Sequence, residues 1–174
     1  MTRLNHAVRY GLISGLILIV FNAILYIADV NLFKTGYSLL NGVVVFGVMI
    51  YFTYLSMQKS RDLNLGGKIS YVQALGIGFV MLIITGYLTG IFSYLLNAVI
   101  DPDYITRQID TFYQTWDGIM SEEALDMALE KMESSMKPSK ALLTTLYMTP
   151  ITSLIISALI ALFVRKDNSS KVQV

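Results

Sequence analysis

Four long segments without a charged side chain limit what this chain can fold into more than any other feature. They occupy residues 10–28, 35–58, 69–100 and 141–164, and none of them contains Asp, Glu, Lys or Arg. A hydrocarbon core of about 30 Å is crossed by roughly 20 helical residues, so each segment is long enough for one membrane span. A globular protein of this size would have too little polar surface to cover four such segments.

The sequence therefore predicts an all-α, polytopic membrane protein with four transmembrane helices. We place the spans near residues 8–28, 37–58, 69–99 and 141–164 of a single membrane domain over residues 1–174. Charged residues make up 14% of the chain, against about a quarter in an average soluble protein. The chain has no cysteine, which excludes disulfides, thiolate metal sites and cysteine nucleophiles.

The distribution of Lys and Arg predicts the orientation, because these residues are retained on the cytoplasmic side. One predicted side carries Arg3, Arg9, Lys59, Arg61, Lys68, Arg165, Lys166 and Lys171. The other carries Lys34 and the segment 101–140, in which nine acidic residues outnumber four basic ones. We therefore expect both termini in the cytoplasm and a long acidic loop outside.

The external loop, residues 101–140, has the pattern of a helical hairpin. Asp101 and Pro102 form a typical helix start, in which the carboxylate caps the helix, and Gly118 is expected to end that helix. A second helix is expected to start at Ser121 and to stop at Pro138. Apolar residues recur every three or four positions along both helices, at Ile105, Ile109, Phe112, Trp116, Leu125, Leu129, Met132 and Met136. This stripe is the candidate partner-binding surface; the alternative is that it covers the outer ends of the spans.

Small residues recur every fourth position within the predicted spans. They are Gly11, Gly15, Gly86, Gly90, Ser153 and Ser157. Small residues at this spacing let helix backbones approach closely in lipid. They are candidates for helix packing within the bundle or for an oligomer interface, and the spacing alone leaves both readings open.

The polar residues at membrane depth are all neutral. They are Asn22, Asn41, Thr85, Thr89, Ser93, Thr144, Thr145 and Thr149. Ionisable residues in spans mark proton relays and ion paths, so this set argues against a proton-coupled or charged-substrate transporter. We expect Asn22 and Asn41 to hydrogen-bond across helices. Pro150 cannot donate a backbone hydrogen bond, which should leave the carbonyl of Leu146 free.

Two short motifs give the chain a resemblance to a known family. Residues 66–71 read Gly-Gly-Lys-Ile-Ser-Tyr at the start of the third span, and residues 97–104 read Asn-Ala-Val-Ile-Asp-Pro-Asp-Tyr at its end. With the length and the four-span layout, they resemble the DUF4199-like family of uncharacterised small bacterial membrane proteins. Gln73 stands where the family pattern has an acidic residue. The resemblance implies a Gram-negative inner membrane and supplies no activity, substrate or catalytic residue.

These observations favour a function without catalysis. No phosphate-binding loop, nucleophile elbow or metal-ligand spacing is present, so we expect neither an enzyme nor a cofactor, and we expect no nucleic-acid partner. The favoured hypothesis is an accessory or interaction subunit that presents the acidic periplasmic hairpin to a membrane or periplasmic protein, or to another copy of itself. The alternative is a small oligomeric channel or carrier for a neutral or lipidic solute, lined by Asn22, Asn41 and the threonines.

Overall fold

A computed structural model describes residues 4–30 and 35–166, and these residues are predominantly helical. The α-helices are α1 (Asn5–Ile27), α2 (Thr35–Asn64), α3 (Tyr71–Leu95), α4 (Tyr104–Trp116), α5 (Glu122–Met136) and α6 (Pro138–Val164), and a π-helical turn (Leu96–Ile100) continues α3. Helices α1, α2, α3 and α6 are long and apolar enough to cross a membrane. The prediction of an all-helical chain with four long apolar helices is therefore confirmed. Arg3, Lys34 and Lys171, which contributed to the predicted orientation, lie outside the described residues.

Most of the predicted helix boundaries differ from the structure by a few residues, and two of the differences have a clear physical cause. Helix α2 continues to Asn64 instead of ending near residue 58, because Lys59 and Arg61 are good helix formers and extend the helix past its apolar stretch. Helix α6 begins at Pro138 instead of near residue 141. Proline has no backbone N–H, but the N–H of the first helical residue has no partner within the helix, so proline costs nothing there. Pro138 thus starts α6 as well as stopping α5.

Helix α3 lies at the centre of the bundle and packs most extensively against α6 and α1. Between α1 and α3, the hydroxyls of Ser14 and Thr85 are 2.6 Å apart, and Thr85 also donates to the carbonyl of Gly11 at 3.2 Å. A Cβ atom on Gly11 would lie 2.8 Å from the carbonyl oxygen of Met81. This close backbone approach is the reason why α1 carries glycine at that position.

The two ends of the bundle are built differently. The end we call the loop end comprises the α2–α3 connection, the start of α1 and the end of α6. There Ile69 and Lys166 exchange two backbone hydrogen bonds, of 3.4 and 3.0 Å, and Arg61 donates to the carbonyl of Val164 at 3.3 Å. The main buried cluster includes residues of this end and of the bundle centre: Ala7, Met57, Ile69, Ala74, Ile77, Met81, Leu82, Ile160, Ala161 and Val164. The start of α1 and the end of α6 therefore meet on the side of the α2–α3 connection.

The opposite end, which we call the hairpin end, is covered by α4 and α5. Ser121 caps α5 by accepting a hydrogen bond from the backbone N–H of Ala124, and Gly118 follows α4 with a φ of 74°, a conformation that glycine adopts without strain. The structure thus places two helices between α3 and α6, with boundaries at Gly118 and Ser121 that agree with the sequence pattern. Helix α2 packs tightly only at the loop end, because its buried residues begin at Thr53 and none of residues 36–52 is buried.

Candidate binding chamber at the hairpin end

A cavity of about 590 Å³ lies among the helices at the hairpin end, and we call it the chamber. Helices α1, α2, α3 and α6 form its walls, and α4 and α5 contribute to its roof. Its polar lining consists of Asn22, Thr89, Ser93, Asn97, Tyr104, Gln108, Ser135, Thr145, Thr149, Thr152 and Ser153. The volume falls within the range typical of small-molecule sites. The described residues that line it include no Asp, Glu, Lys, Arg or His.

The chamber brings together residues that the sequence analysis had placed in separate groups. Five of the neutral polar residues line it, namely Asn22, Thr89, Ser93, Thr145 and Thr149. The hairpin stripe contributes Ile105 and Met136, and the small-residue stripes contribute Gly86, Gly90 and Ser153. Thr85 instead lies buried between α1 and α3, and Asn41 and Thr144 are not part of the lining.

The small-residue stripes pack helices of the same chain against one another. A Cβ atom on Gly15 would lie 2.9 Å from Leu88 Cδ1, and Cβ atoms on Gly86 and Gly90 would collide with the side chains of Thr149 and Thr145. Ser153 and Ser157 are buried on α6. These six positions thus hold α1 and α6 against α3.

Gln108 is the most buried of the polar chamber residues that the sequence analysis missed, which also include Ser135 and Thr152. It is only 5% exposed, it lines the chamber from α4, and its Oε1 atom has no hydrogen-bond partner among the described residues. The stripe argument counted apolar residues alone, yet Gln108 lies three residues after Ile105 and four before Phe112, on the same helix face. That position was the signal for a buried glutamine.

A second unpartnered amide belongs to Asn97, in the π-helical turn that continues α3. Asn97 lines the chamber and donates from Nδ2 to the carbonyl of Ser93 at 2.8 Å, whereas its Oδ1 atom is buried and has no partner in the described part of the chain. Buried polar atoms of native proteins nearly always have a partner. Two residues that line the chamber thus each bury an amide oxygen without a partner in the described part of the chain.

Two expectations about polar groups in the spans are corrected. Asn22 does not bond across helices; its Nδ2 atom donates to the carbonyl of Leu18 in its own helix at 2.7 Å, because that carbonyl lies one turn away on the same face. The carbonyl of Leu146, which Pro150 leaves without its helical donor, is not free. The hydroxyl of Tyr87 on α3 donates to it at 3.2 Å.

The junction between α3 and α4 is fixed by a polar cluster, which we call the anchor. Asp101 accepts hydrogen bonds from both terminal nitrogens of Arg107, one of them at 3.1 Å, and from the hydroxyl of Tyr26 at 2.9 Å. The guanidinium of Arg107 and the hydroxyl of Tyr26 hold the pKa of Asp101 at about 2, below its usual 3.8. The Tyr26 ring also packs edge-on against Tyr104, with ring centroids 5.1 Å apart.

The anchor overturns the prediction that Asp101 caps α4. The helix begins at Tyr104, and the residue at its N-cap position, Asp103, makes no side-chain capping bond. A paired, charge-assisted contact with a guanidinium is stronger than a hydrogen bond to one backbone N–H. Asp101 therefore binds Arg107 in the second turn of α4 and ties the hairpin to α1.

The apolar stripe of the hairpin is largely covered within the chain. Helices α4 and α5 pack against each other, and α5 also contacts α6. Leu125 is buried, and the remaining stripe residues are half-buried: Ile105, Ile109, Phe112, Trp116, Leu129, Met132 and Met136. Tyr113, Ile119 and Met127 are the exposed large apolar side chains of the hairpin.

Four apolar helices of spanning length, with a neutral chamber at one end, indicate a helical multi-pass membrane protein. The chain belongs to the family described as a protein of unknown function (DUF4199), whose family model matches residues 9–166. This match confirms the resemblance drawn from the third-span motifs. Neither the curated proteins nor the solved structures contain a match to the chain.

Proposed function

We propose that this chain is a non-catalytic, multi-pass protein of the bacterial inner membrane that binds a neutral, lipid-like solute in the chamber. The observation that carries the proposal is the chamber itself, a cavity of about 590 Å³ whose described lining combines neutral polar and apolar side chains and contains no charged residue. Burying a charge in such a place is costly unless it is paired, so the lining favours a neutral ligand.

The proposed orientation is supported by the charges at the two ends of the bundle. Arg9, Lys59, Arg61, Lys68, Arg165 and Lys166 belong to the loop end. The segment 101–140 at the hairpin end carries nine of the twelve acidic residues of the chain. By the positive-inside rule the loop end faces the cytoplasm, so that the chamber opens in the periplasmic half of the membrane.

The packing of α2 supports access to the chamber from the bilayer. Met49 is the only α2 residue among the described residues of the lining, and the hairpin-end half of α2 has no buried residue. Cβ atoms on Gly42 and Gly47 would meet nothing within 4 Å. A loosely packed helix beside a cavity provides a lateral route for a molecule dissolved in lipid.

The test is whether the purified protein retains a neutral lipid in the chamber. The Ser93→Phe variant fills the chamber from α3, and Ser38→Phe makes the same change at an exposed position of α2 outside it. We expect mass spectrometry of gently solubilised protein to find a neutral lipid with the wild type and with Ser38→Phe, and to find it strongly depleted from Ser93→Phe. Equal retention by all three proteins, or no retained lipid, would contradict the proposal.

A second function, an accessory subunit that presents the hairpin, is favoured by the exposed residues Ile119 and Met127. Their side chains are 70% and 65% exposed at the hairpin surface, beside its carboxylates. We propose as the partner a membrane or periplasmic protein with a basic, partly apolar surface, or a second copy of this chain. Replacing both residues with serine should abolish its co-purification from native membranes. An unchanged set of co-purified proteins would exclude this function for the surface.

A further inference from the structure

An apolar groove runs along the outside of the bundle between α2 and α6, and we call it the outer groove. It has a volume of about 810 Å³ and is lined by residues from 46–54 of α2 and 156–163 of α6. These lining residues are aliphatic and aromatic side chains and one glycine, Gly47. The groove shares no lining residue with the chamber, so it is a second, separate feature of the surface.

The outer groove extends over one leaflet of the bilayer. The uncharged segment 35–58 of α2 is centred near Gly47, and the groove runs from there toward the loop end. From Phe46 to Tyr54 the helix rises by about 12 Å, close to half of a hydrocarbon core of about 30 Å. One acyl chain spans this distance, whereas a transmembrane helix of a second copy would continue across both leaflets.

A basic cluster lies at the loop-end mouth of the outer groove, formed by Lys59, Arg61 and Lys166 around Asp62. Arg61 binds Asp62 through Nε at 2.8 Å and donates to the carbonyl of Val164, beside the last groove residue of α6, at 3.3 Å. Lys59 and Lys166 interact electrostatically with Asp62. Both lysines are exposed and form no salt bridge with another described residue. Three cations against one carboxylate leave the cluster with two positive charges.

Two tyrosines connect the apolar groove to the basic cluster. Tyr51 and Tyr54 line the groove, and Tyr54 precedes Arg61 by two helical turns on the same face of α2. The phenol group of Tyr54 is close enough to interact electrostatically with the guanidinium of Arg61. Because tyrosine prefers the boundary between hydrocarbon and headgroups, the order of apolar floor, tyrosines and cations matches the order of acyl chain, glycerol backbone and phosphate in a phospholipid.

We infer that the outer groove binds an anionic phospholipid, with one acyl chain along α2 and α6 and its headgroup at Lys59 and Lys166. A zwitterionic phospholipid fills the groove equally well, but its headgroup brings a cation to a cluster that is already positive. Basic sites between membrane helices typically bind anionic headgroups. The bound chain completes the packing of α2 against α6. This inference is independent of the proposed function, which concerns the chamber.

The test compares two photoreactive lipids with identical acyl chains, phosphatidylglycerol and phosphatidylcholine, each at the same low mole fraction in phosphatidylcholine nanodiscs. Each lysine near a membrane surface favours anionic lipid by roughly fivefold, so we expect phosphatidylglycerol to label the groove peptides of α2 and α6 at least tenfold more strongly. Replacing both Lys59 and Lys166 with glutamine should abolish this preference. The matched control replaces Lys131 and Lys140, two exposed lysines of the hairpin end, and should preserve it.

A second pair of variants tests the groove itself. A Cβ atom on Gly47 or on Gly42 would meet nothing within 4 Å, so either position accepts a larger side chain without a clash. Gly47→Phe places a ring in the groove, whereas Gly42→Phe makes the same change on α2 outside it. We expect Gly47→Phe to reduce labelling by phosphatidylglycerol at least fivefold and Gly42→Phe to leave it unchanged. Ser93→Phe, which fills the chamber, should also leave it unchanged.

Each contrary outcome overturns a stated part of the inference. Equal labelling by the two lipids in the wild type would refute the anionic headgroup, and labelling that Gly47→Phe does not reduce would refute the groove. If neither lipid labels the groove, and light scattering shows a dimer that Gly47→Phe dissociates, a second copy of the chain is the occupant. The comparison of the two lipids needs only the wild type, so it decides the inference even if a variant does not insert.

Discussion

The two ends of the bundle differ in how tightly their helices pack. At the loop end and through the centre, glycine and serine positions allow backbone contact, and the core is filled by residues such as Met57, Met81 and Leu82. At the hairpin end, α2 is loosely packed, a cavity of about 590 Å³ remains, and the buried amide oxygens of Asn41, Asn97 and Gln108 have no partner in the described residues. The comparison suggests that one end supplies stability and the other supplies binding, because a filled core leaves no room for a ligand.

The largest effect is expected where helix backbones touch. Gly11→Ala would place a Cβ atom 2.8 Å from the carbonyl oxygen of Met81 and 2.9 Å from Ile84 Cβ. Because a backbone cannot yield as a flexible side chain can, α1 must move away from α3. We expect the free energy of unfolding to fall by about 1–3 kcal/mol, measured by denaturant titration in mixed micelles.

Gly42→Ala is the matched control for this substitution. A Cβ atom there would meet nothing within 4 Å, so alanine should leave stability unchanged or raise it by up to about 1 kcal/mol through its better helix propensity. A loss at Gly42 as large as that at Gly11 would show that α2 packs against something else, such as a second copy of the chain. The contrast between the ends would then be wrong.

The next effect is a gain in stability and concerns a residue of the chamber. Gln108→Leu replaces a buried, unsatisfied amide with an apolar group of similar size. We expect the ligand-free protein to become more stable by about 1 kcal/mol, because the cost of burying the amide disappears. Gln114→Leu, on the exposed face of α4, should change stability little. A clear loss of stability for Gln108→Leu in delipidated protein would show that Gln108 is already satisfied within the chain.

How far the sequence predicts this molecule depends on whether a feature is local. The apolar segments, the Ser121 cap and the Gly118 turn each depend on neighbouring residues, and they were predicted. The hydrogen bond between Tyr87 and Leu146 joins two helices, and no local sequence pattern encodes their relative rotation. The same holds for the hydrogen bond between Tyr26 and Asp101. Several chamber residues were identified individually, but their assembly, and the burial of Gln108 among them, depends on the packing of six helices.

A smaller effect is expected from the bond that compensates for Pro150. Tyr87→Phe removes the hydroxyl that donates a 3.2 Å hydrogen bond to the carbonyl of Leu146, and it changes little else on α3. Hydrogen bonds between membrane helices contribute about 0.6 kcal/mol on average, so we expect a loss of that size. Tyr94→Phe, for which no bond to Leu146 exists, is the comparison. Equal stability of Tyr87→Phe and the wild type would show that the bond adds nothing.

The last effect, and the one most specific to the hairpin end, concerns the anchor. The pKa of Asp101 lies at about 2 in the folded protein and at 3.8 without its partners. A carboxyl whose pKa is lowered on folding stabilises the folded state fully above the unfolded pKa, and this contribution is lost as the pH falls through the folded one. The hairpin should therefore remain docked from pH 7 to about 4 and loosen between roughly pH 3.8 and 2.

Trp116, the single tryptophan, lies on α4 and reports the change by its emission. Asp101→Asn should shift the emission at pH 7 toward the acid value and remove the transition below pH 3.8, whereas Asp110→Asn, at an exposed position of α4, should preserve that transition. A transition that persists unchanged in Asp101→Asn would assign it to the other carboxylates of the hairpin, and the anchor would then not be what holds the roof over the chamber.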